Sequence, residues 1–380
     1  MKSRQSVQNE GPMRIKEVHV YSIDLPVKGG PFRMASTTVA SLDSTVVEIV
    51  AEGGLKGYGE TCPVGPVYQP HHALGGRAAL QEIGPHLVGL DARRIETVRD
   101  AMDNALNGHL YAKAAVDIAL WDLLGKLWNV RVCDLLGGAK REAVPSYYSI
   151  GVMAPDEAAS IAREKQKEGY PRLQVKIGGR DLATDIEAVR KVHETLAPGV
   201  TLAVDANRGW TTRDAVTISQ ACRDLPLILE QPCDGFEENA SLQGRVAHPV
   251  FMDEGADSLE TVLRAVGQRA CDGFGLKVTR MGGLSVMRTI RDVCRAARLP
   301  ITCDDAWGGD IIGAACVHIG ATVHPRLLEA VWLAAPYIER HYDPDNGIGI
   351  EKGWINVSEG PGLGVTPAPG VLGAPAISFG

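Results

Sequence analysis

The chain has 380 residues, and its 39 Lys and Arg against 46 Asp and Glu give a net charge of −7. That balance disfavours a nucleic-acid role built on phosphate contacts. Hydrophobic residues at 45% and charged residues at 22% are ordinary for a folded chain and argue against wholesale disorder. No apolar run approaches the roughly 20 residues that a membrane span needs. The length suits one large α/β domain with a smaller one, or two to three medium domains.

Residues 1–12 are polar, lack the apolar core of a signal peptide and read as a disordered extension, with Met13 as a candidate start. The eight cysteines are dispersed, with no C-x-x-C pair, which disfavours a structural zinc site. Reduced, packed thiols in a cytoplasmic protein are the simple expectation.

From Arg14 to about Gly138 the pattern predicts antiparallel strands followed by helices. Residues 18–23 and 44–50 are rich in β-branched types and read as strands. Between them, residues 28–41 carry Gly, Ser and Thr and suit a mobile loop that closes over a site. A Gly57-Tyr58-Gly59-Glu60 turn follows. Residues 112–128 place Ala115, Ile118, Leu120, Leu123 and Leu124 on broadly helical spacing. Gly137-Gly138 ends the block.

From Val144 the texture changes. Short apolar runs at 147–150, 173–177, 202–204, 227–229, 250–252, 273–276, 301–303 and 327–328 alternate with helical stretches such as 155–168, 183–196, 259–267 and 284–297. Repeated β-then-α with parallel crossovers predicts a closed barrel or an open doubly wound sheet. Eight runs fit a slightly short (β/α)₈ barrel.

The second to sixth runs end in charge: Lys176, Asp205, Glu230, Asp253 and Lys277. A charge at the end of a buried strand is costly unless paired or ligated. Five in consecutive units would converge on the face where barrel enzymes keep their sites. Three carboxylates held together repel, and a divalent cation relieves the repulsion. All-oxygen ligation by Asp205, Glu230 and Asp253 points to Mg²⁺, with Mn²⁺ as a substitute. Lys176 and Lys277 flank them in strand order, which suits proton transfer at one carbon from opposite faces. Trp307, Trp332 and Tyr68 are expected near the mouth, where aromatic faces attract a secondary or quaternary ammonium; Asp304 or Asp305 would add a counter-charge.

Val175-Lys176, Val204-Asp205-Ala206-Asn207, Leu229-Glu230-Gln231-Pro232, Met252-Asp253-Glu254 and Leu276-Lys277-Val278-Thr279-Arg280 with Gly282-Gly283 resemble, in this order, the enolase superfamily and its muconate-lactonizing-enzyme-like subgroup. The resemblance runs from Met13 and includes Gly360-Pro361-Gly362-Leu363-Gly364. It implies an α+β N-terminal capping domain, residues 13–140 completed by 345–380, over a modified (β/α)7β barrel, residues 141–344. It also implies one Mg²⁺ on Asp205, Glu230 and Asp253, and an enediolate formed by lysine bases. Gln174-Val175-Lys176 departs from the Lys-x-Lys usual there, which removes one neighbouring cation. The loops around the mouth are similar to those of proline betaine and hydroxyproline betaine 2-epimerases, whereas Glu329-Ala330-Val331 lacks the Asp-x-Asp of dipeptide epimerases. The expected function is a Mg²⁺-dependent racemase or epimerase of a cyclic amino-acid or betaine carboxylate. The expected substrate-binding set is Tyr68, Gln174, Asn207, Asp304, Asp305, Trp307 and Trp332. The alternatives are a cis-3-hydroxy-L-proline dehydratase or cycloisomerase on the same scaffold, and a non-catalytic binding protein. A homo-oligomer acting on a small molecule, with no nucleic-acid or membrane partner, completes the expectation.

Overall fold

The computed structural model describes residues 13–380; the extension expected at 1–12 lies outside the described residues. The chain opens with β1 (Ile15–Pro26), a short hairpin of β2 (Phe32–Arg33) and β3 (Thr38–Val39), then β4 (Ser41–Ala51) and β5 (Lys56–Thr61). Helices α1 (Ala73–Ile83), α2 (Ile95–Ala105), α3 (Leu110–Trp128) and α4 (Val132–Leu135) follow. After β6 (Ala143–Pro145), eight strands alternate with helices: β7 (Tyr147–Ile150), α5 (Pro155–Lys167), β8 (Arg172–Lys176), α6 (Leu182–His193), β9 (Thr201–Asp205), α7 (Thr212–Ala221) and β10 (Ile228–Glu230). The series continues through α8 (Phe236–Ala240), β11 (Val250–Met252), α9 (Leu259–Gln268), β12 (Gly273–Lys277), α10 (Leu284–Ala297), β13 (Ile301–Asp304), α11 (Asp310–Thr322) and β14 (Leu328–Ala330). Strands β15 (Trp354–Asn356) and β16 (Ile377–Phe379) end the chain.

Strands β7 to β14 form one parallel sheet in sequence order. A parallel bridge from Ser146 to Val331 nearly closes it into a barrel. Among the described residues seven helical crossovers join the eight strands, so the architecture is a (β/α)7β barrel beside an α+β layer. That layer is the antiparallel sheet β16-β1-β4-β5, and the chain's last strand therefore pairs with its first. No helix among the described residues is long and apolar enough to cross a membrane.

Helix α3 covers the stretch expected to be helical and is buried well beyond the apolar positions that its spacing marked. Every residue from Tyr111 to Gly125 is buried. The helix is held between the sheet on one side and α10 on the other, so no face is left for water. Its polar residues therefore bond internally. Asp117 accepts from the Ser285 N–H at 3.0 Å and the Ser285 hydroxyl at 2.5 Å, which caps α10. Asp122 accepts from the N–H of Tyr58 and of Leu363, both at 2.9 Å, and so ties β5 and the C-terminal Gly-rich segment to one side chain.

Glycine in β5 is required by this close packing. A Cβ on Gly59 would lie 1.8 Å from the Ala115 carbonyl oxygen and 2.7 Å from the Ala119 nitrogen. These are backbone atoms of α3 and cannot swing aside. Gly59→Ala is expected to push α3 off the sheet and to destabilise the protein by about 3 kcal/mol or more. Urea unfolding followed by circular dichroism measures this; an unchanged midpoint would show that the layer yields freely.

Candidate active site

The residues at the C-terminal ends of β8 to β12 meet over the barrel mouth. Lys176, Asp205, Glu230 and Lys277 are the last residues of their strands, and Asp253 follows β11 directly. All five are buried. One oxygen from each of Asp205, Glu230 and Asp253 lies within 4.8 Å of the others. Lys176 pairs with Asp205. Lys277 is 3.3 Å from Asp253, and Arg280 donates to Asp253 at 2.5 Å.

The electrostatics show what this arrangement lacks. Burial pushes the Glu230 carboxyl up to about 7, and the charges of Asp205 and Asp253 add to it. Burial likewise pushes Glu254 up to about 8, with Asp253 and Asp205 contributing. Burial alone would lower both lysine pKa values, yet Asp205 and Glu230 raise Lys176, and Asp253 and Asp304 raise Lys277. The pocket thus holds more negative charge than its cations balance. The donor set is all oxygen, and Glu230 Oε1 has no hydrogen-bond partner although buried. A hard divalent cation of the Mg²⁺ class fits both facts. It would also cancel the carboxylate pull on the lysines and free one to act as a base near neutrality.

The supporting residues are specific. Asn207 sits in a left-handed conformation at φ 42°. Its amide donates to Asp205 at 3.1 Å and to Glu254 at 3.0 Å, so it clamps carboxylates below the pocket wall. Gln231 Oε1 accepts from the N–H of Asp253 and of Gly255, each at 2.9 Å. Gln174 lines the pocket, but its amide is engaged: it donates to Glu230 at 2.9 Å and accepts from Ser149 at 2.8 Å. Asp304 accepts from Tyr147 at 3.0 Å, Thr302 at 2.5 Å and the Trp332 N–H at 2.7 Å, and lies 3.4 Å from Lys277. It sits beside Lys277, and both its oxygens already accept hydrogen bonds. Asp305 reaches the pocket wall, yet its oxygens accept from the N–H and hydroxyl of Thr279 and the N–H of Ala306.

The aromatic residues fall on two walls. Trp307 and Trp332 meet edge-on with centroids 5.4 Å apart, and Tyr337 and Phe32 join them at 5.4–5.7 Å. Tyr68 stands apart from that cluster, on a loop before α1. The small cavity between is bounded by both lysines, Met34, Phe32, Tyr68, Trp307 and Trp332. Phe32 and Met34 come from the segment 28–41, which forms the β2–β3 hairpin and reaches the mouth. Phe32, Tyr337, Tyr147, Ser149, Arg172 and Arg280 were not singled out as site residues from sequence. Strand parity carried a signal for one of them: Arg172, Gln174 and Lys176 alternate on β8 and share the inward face.

The seventh crossover is anchored to the α+β layer through one buried carboxylate. Glu60 accepts from the N–H of Gly309 at 2.7 Å and of Ile312 at 3.0 Å, and from Ser44 at 2.7 Å and Tyr342 at 2.8 Å. That fixes the start of α11 and the Trp307 loop before it. The Tyr68 loop is held from the barrel side, where Arg208 donates to the carbonyls of Val67 at 3.1 Å and Tyr68 at 2.7 Å.

A parallel barrel with acids and lysines gathered at its C-terminal strand ends defines a barrel enzyme. The chain belongs to the enolase superfamily: residues 157–371 match the enolase C-terminal domain-like family, and residues 16–137 match the mandelate racemase/muconate lactonizing enzyme N-terminal domain. Enzymes of this superfamily use Mg²⁺. The chain is 38% identical to a cis-3-hydroxy-L-proline dehydratase of Roseibium aggregatum, over 97% of this chain and all of the relative. It is 29% identical to a chloromuconate cycloisomerase of Cupriavidus necator, over 93% of this chain and 96% of the relative. A crystal structure of an enolase-superfamily member from Roseovarius nubinhibens complexed with magnesium superposes with a TM-score of 0.92 at 34% identity, covering 97% of this chain and 99% of that one. The family of the sequence reading therefore stands. The strong full-length match is to a dehydratase rather than to the betaine epimerases that the loop resemblance put first.

Arg208 provides a direct check on the Tyr68 loop. Arg208→Ala removes both bonds to its carbonyls, and limited proteolysis within residues 62–72 should speed up severalfold while the barrel stays intact. An unchanged cleavage rate would mean that other contacts hold the loop.

Proposed function

We propose that the protein removes the α-proton of a cyclic, proline-type amino-acid carboxylate and then expels a β-hydroxyl as water. The observation that carries the proton chemistry is the placing of Lys176 and Lys277 on one small cavity, at the two ends of the carboxylate arc. One Mg²⁺ on Asp205, Glu230 and Asp253 would hold the substrate carboxylate and stabilise the charge that develops at the α-carbon. One lysine takes the α-proton. The other, held by Asp304, faces the opposite side and supplies a proton where the chain of events needs it. In dehydration that proton goes to the leaving hydroxyl: the C–H and C–O bonds break, a C=C bond forms and water departs. Phe32, Met34, Trp307 and Trp332 pack the ring and exclude bulk water. The full-length resemblance to a hydroxyproline dehydratase supports this fate.

A second reading has its own observation. The walls are aromatic, and the oxygens of Asp304 and Asp305 are already bonded, so the cavity has little to offer an N–H group. That favours an N-methylated ring nitrogen, held by cation–π attraction, and epimerisation by return of the proton to the opposite face. Under both readings the chain is read as residues 13–140 with 345–380 capping a catalytic barrel of 141–344. The pairing of β16 with β1 supports this arrangement.

Incubation in D₂O with Mg²⁺ separates the two fates. A 3-hydroxyproline should lose ~18 Da, the mass of water, whereas proline betaine or its 4-hydroxy form should gain one deuterium and change optical rotation. Loss of water from the first with no exchange in the second supports dehydration; the reverse supports epimerisation. Absence of both with every such substrate would remove the proline class.

Single Lys176→Ala and Lys277→Ala variants should each lower kcat/KM by about 10²–10⁴-fold or more. One of them should retain α-deuterium exchange on a single enantiomer, because one base survives. Wild-type rates in both variants would overturn the two-lysine mechanism.

A further inference from the structure

We infer that Gln174 is a positioning residue, whose amide keeps Glu230 from closing its loose ion pair with Arg172 into a direct hydrogen bond and leaves one Glu230 oxygen turned to the cation. The inference rests on the metal reading of Asp205, Glu230 and Asp253.

Below the acid cluster the barrel axis holds a buried guanidinium. Arg172 is the first residue of β8 and is 1% exposed. Its Nη1 donates to Glu329 at 2.6 Å, while Nε and Nη2 have no hydrogen-bond partner. Nη2 stands 3.9 Å from Glu230 Oε2. A buried cation that cannot lose its proton, with donors to spare, attracts the nearest carboxylate strongly. If that gap closed, Glu230 would be drawn down the axis and away from Asp205 and Asp253.

Gln174 lies on the same inward face of β8 and competes for the same oxygen. Its Nε2 donates to Glu230 Oε2 at 2.9 Å. The amide cannot turn over without cost, because its carbonyl oxygen would then face a carboxylate. Ser149 fixes the chosen orientation by donating to Gln174 Oε1 at 2.8 Å. With Oε2 tethered, Oε1 is left without a hydrogen-bond partner and open to a cation.

The test is a titration of the full-length protein with Mn²⁺, with free Mn²⁺ read by electron paramagnetic resonance. Gln174→Leu should weaken Mn²⁺ binding by ~10-fold or more. Arg172→Met should leave affinity near wild type. The double variant Arg172→Met with Gln174→Leu should recover most of the loss, since the competing cation is gone. A residue that merely packs would not show that recovery. Gln174→Met, unbranched and similar in length, replaces the leucine variant if the latter does not fold by circular dichroism. Wild-type affinity in Gln174→Leu, or no recovery in the double variant, overturns the inference. Asp205→Asn distinguishes the underlying reading: if it binds Mn²⁺ as wild type does, or wild type binds none, the metal site itself fails.

Discussion

Three carboxylates buried within 4.8 Å of one another set the terms for the rest of the molecule. Like charges at that distance in a poorly solvated site repel by several kcal/mol even with generous screening, on the order of 3–4 kcal/mol per pair at an effective dielectric near 20. A protein tolerates this only where something opposes it. Here the opposition is built from named groups: Lys176 on Asp205, Lys277 and Arg280 on Asp253, Gln174 on Glu230, and Asn207 between Asp205 and Glu254. Burial, with the charges of Asp205 and Asp253 beside them, holds the Glu230 and Glu254 carboxyls above the usual carboxylate range, and three cations, Lys176, Lys277 and Arg280, face the four acids Asp205, Glu230, Asp253 and Glu254. A site left short of positive charge by its own residues is prepared for a cation from solution.

The packing around the barrel serves this constraint at a distance. Strand-end charges can be held in register only if the strands themselves do not shift. Helix α3, buried all round, wedges the α+β sheet against α10, and its Asp117 and Asp122 fix α10, β5 and the C-terminal segment by single carboxylates. Glu60 extends the same device to α11. Each is a buried acid satisfied by backbone N–H groups, so each holds two separate segments with bonds that would be costly to leave unmade.

Much of this was legible in the sequence for a physical reason. A parallel barrel strand is an apolar run with a fixed end, and a charge at that end has few tolerable explanations, so Lys176, Asp205, Glu230, Asp253 and Lys277 stood out. Gly57-Tyr58-Gly59-Glu60 reads as a turn, yet it lies within β5, and its glycines make room for α3, a contact that spans many residues. The side chains between the runs were harder to read. Asp304 and Asp305 adjoin a tryptophan in sequence and invited a role beside the substrate, yet one faces Lys277 and the other Thr279. Asn207 follows a metal-type motif, but its left-handed backbone turns the amide to the carboxylates. Arg172 begins an apolar run and gave no hint that it lies on the barrel axis. Phe32 reaches the pocket, and Tyr337 the aromatic cluster behind it, from segments with no pattern of their own. Apart from Asn207 and Asp205, the decisive partners are distant in sequence, and neither spacing nor composition encodes them.

The division of labour in the site follows from where its parts originate. The charges all come from consecutive strand ends and are locked to one another, so a change in any of them disturbs the rest. The walls come from four unconnected places: the β2–β3 hairpin, the Tyr68 loop, the Trp307 loop and the segment after β14. Phe32, Tyr68, Trp307 and Trp332 share the cavity but no charge network with the carboxylates, apart from the Trp332 N–H on Asp304. In the proposed mechanism the step common to dehydration and epimerisation, loss of the α-proton, rests on the locked set, and the fate of the resulting carbanion rests on how the walls hold the ring between Lys176 and Lys277. Substitutions in the walls leave the balance of buried charge untouched. Under that proposal the choice between expelling a hydroxyl and returning a proton is a matter of shape, while the ability to make the carbanion is a matter of charge.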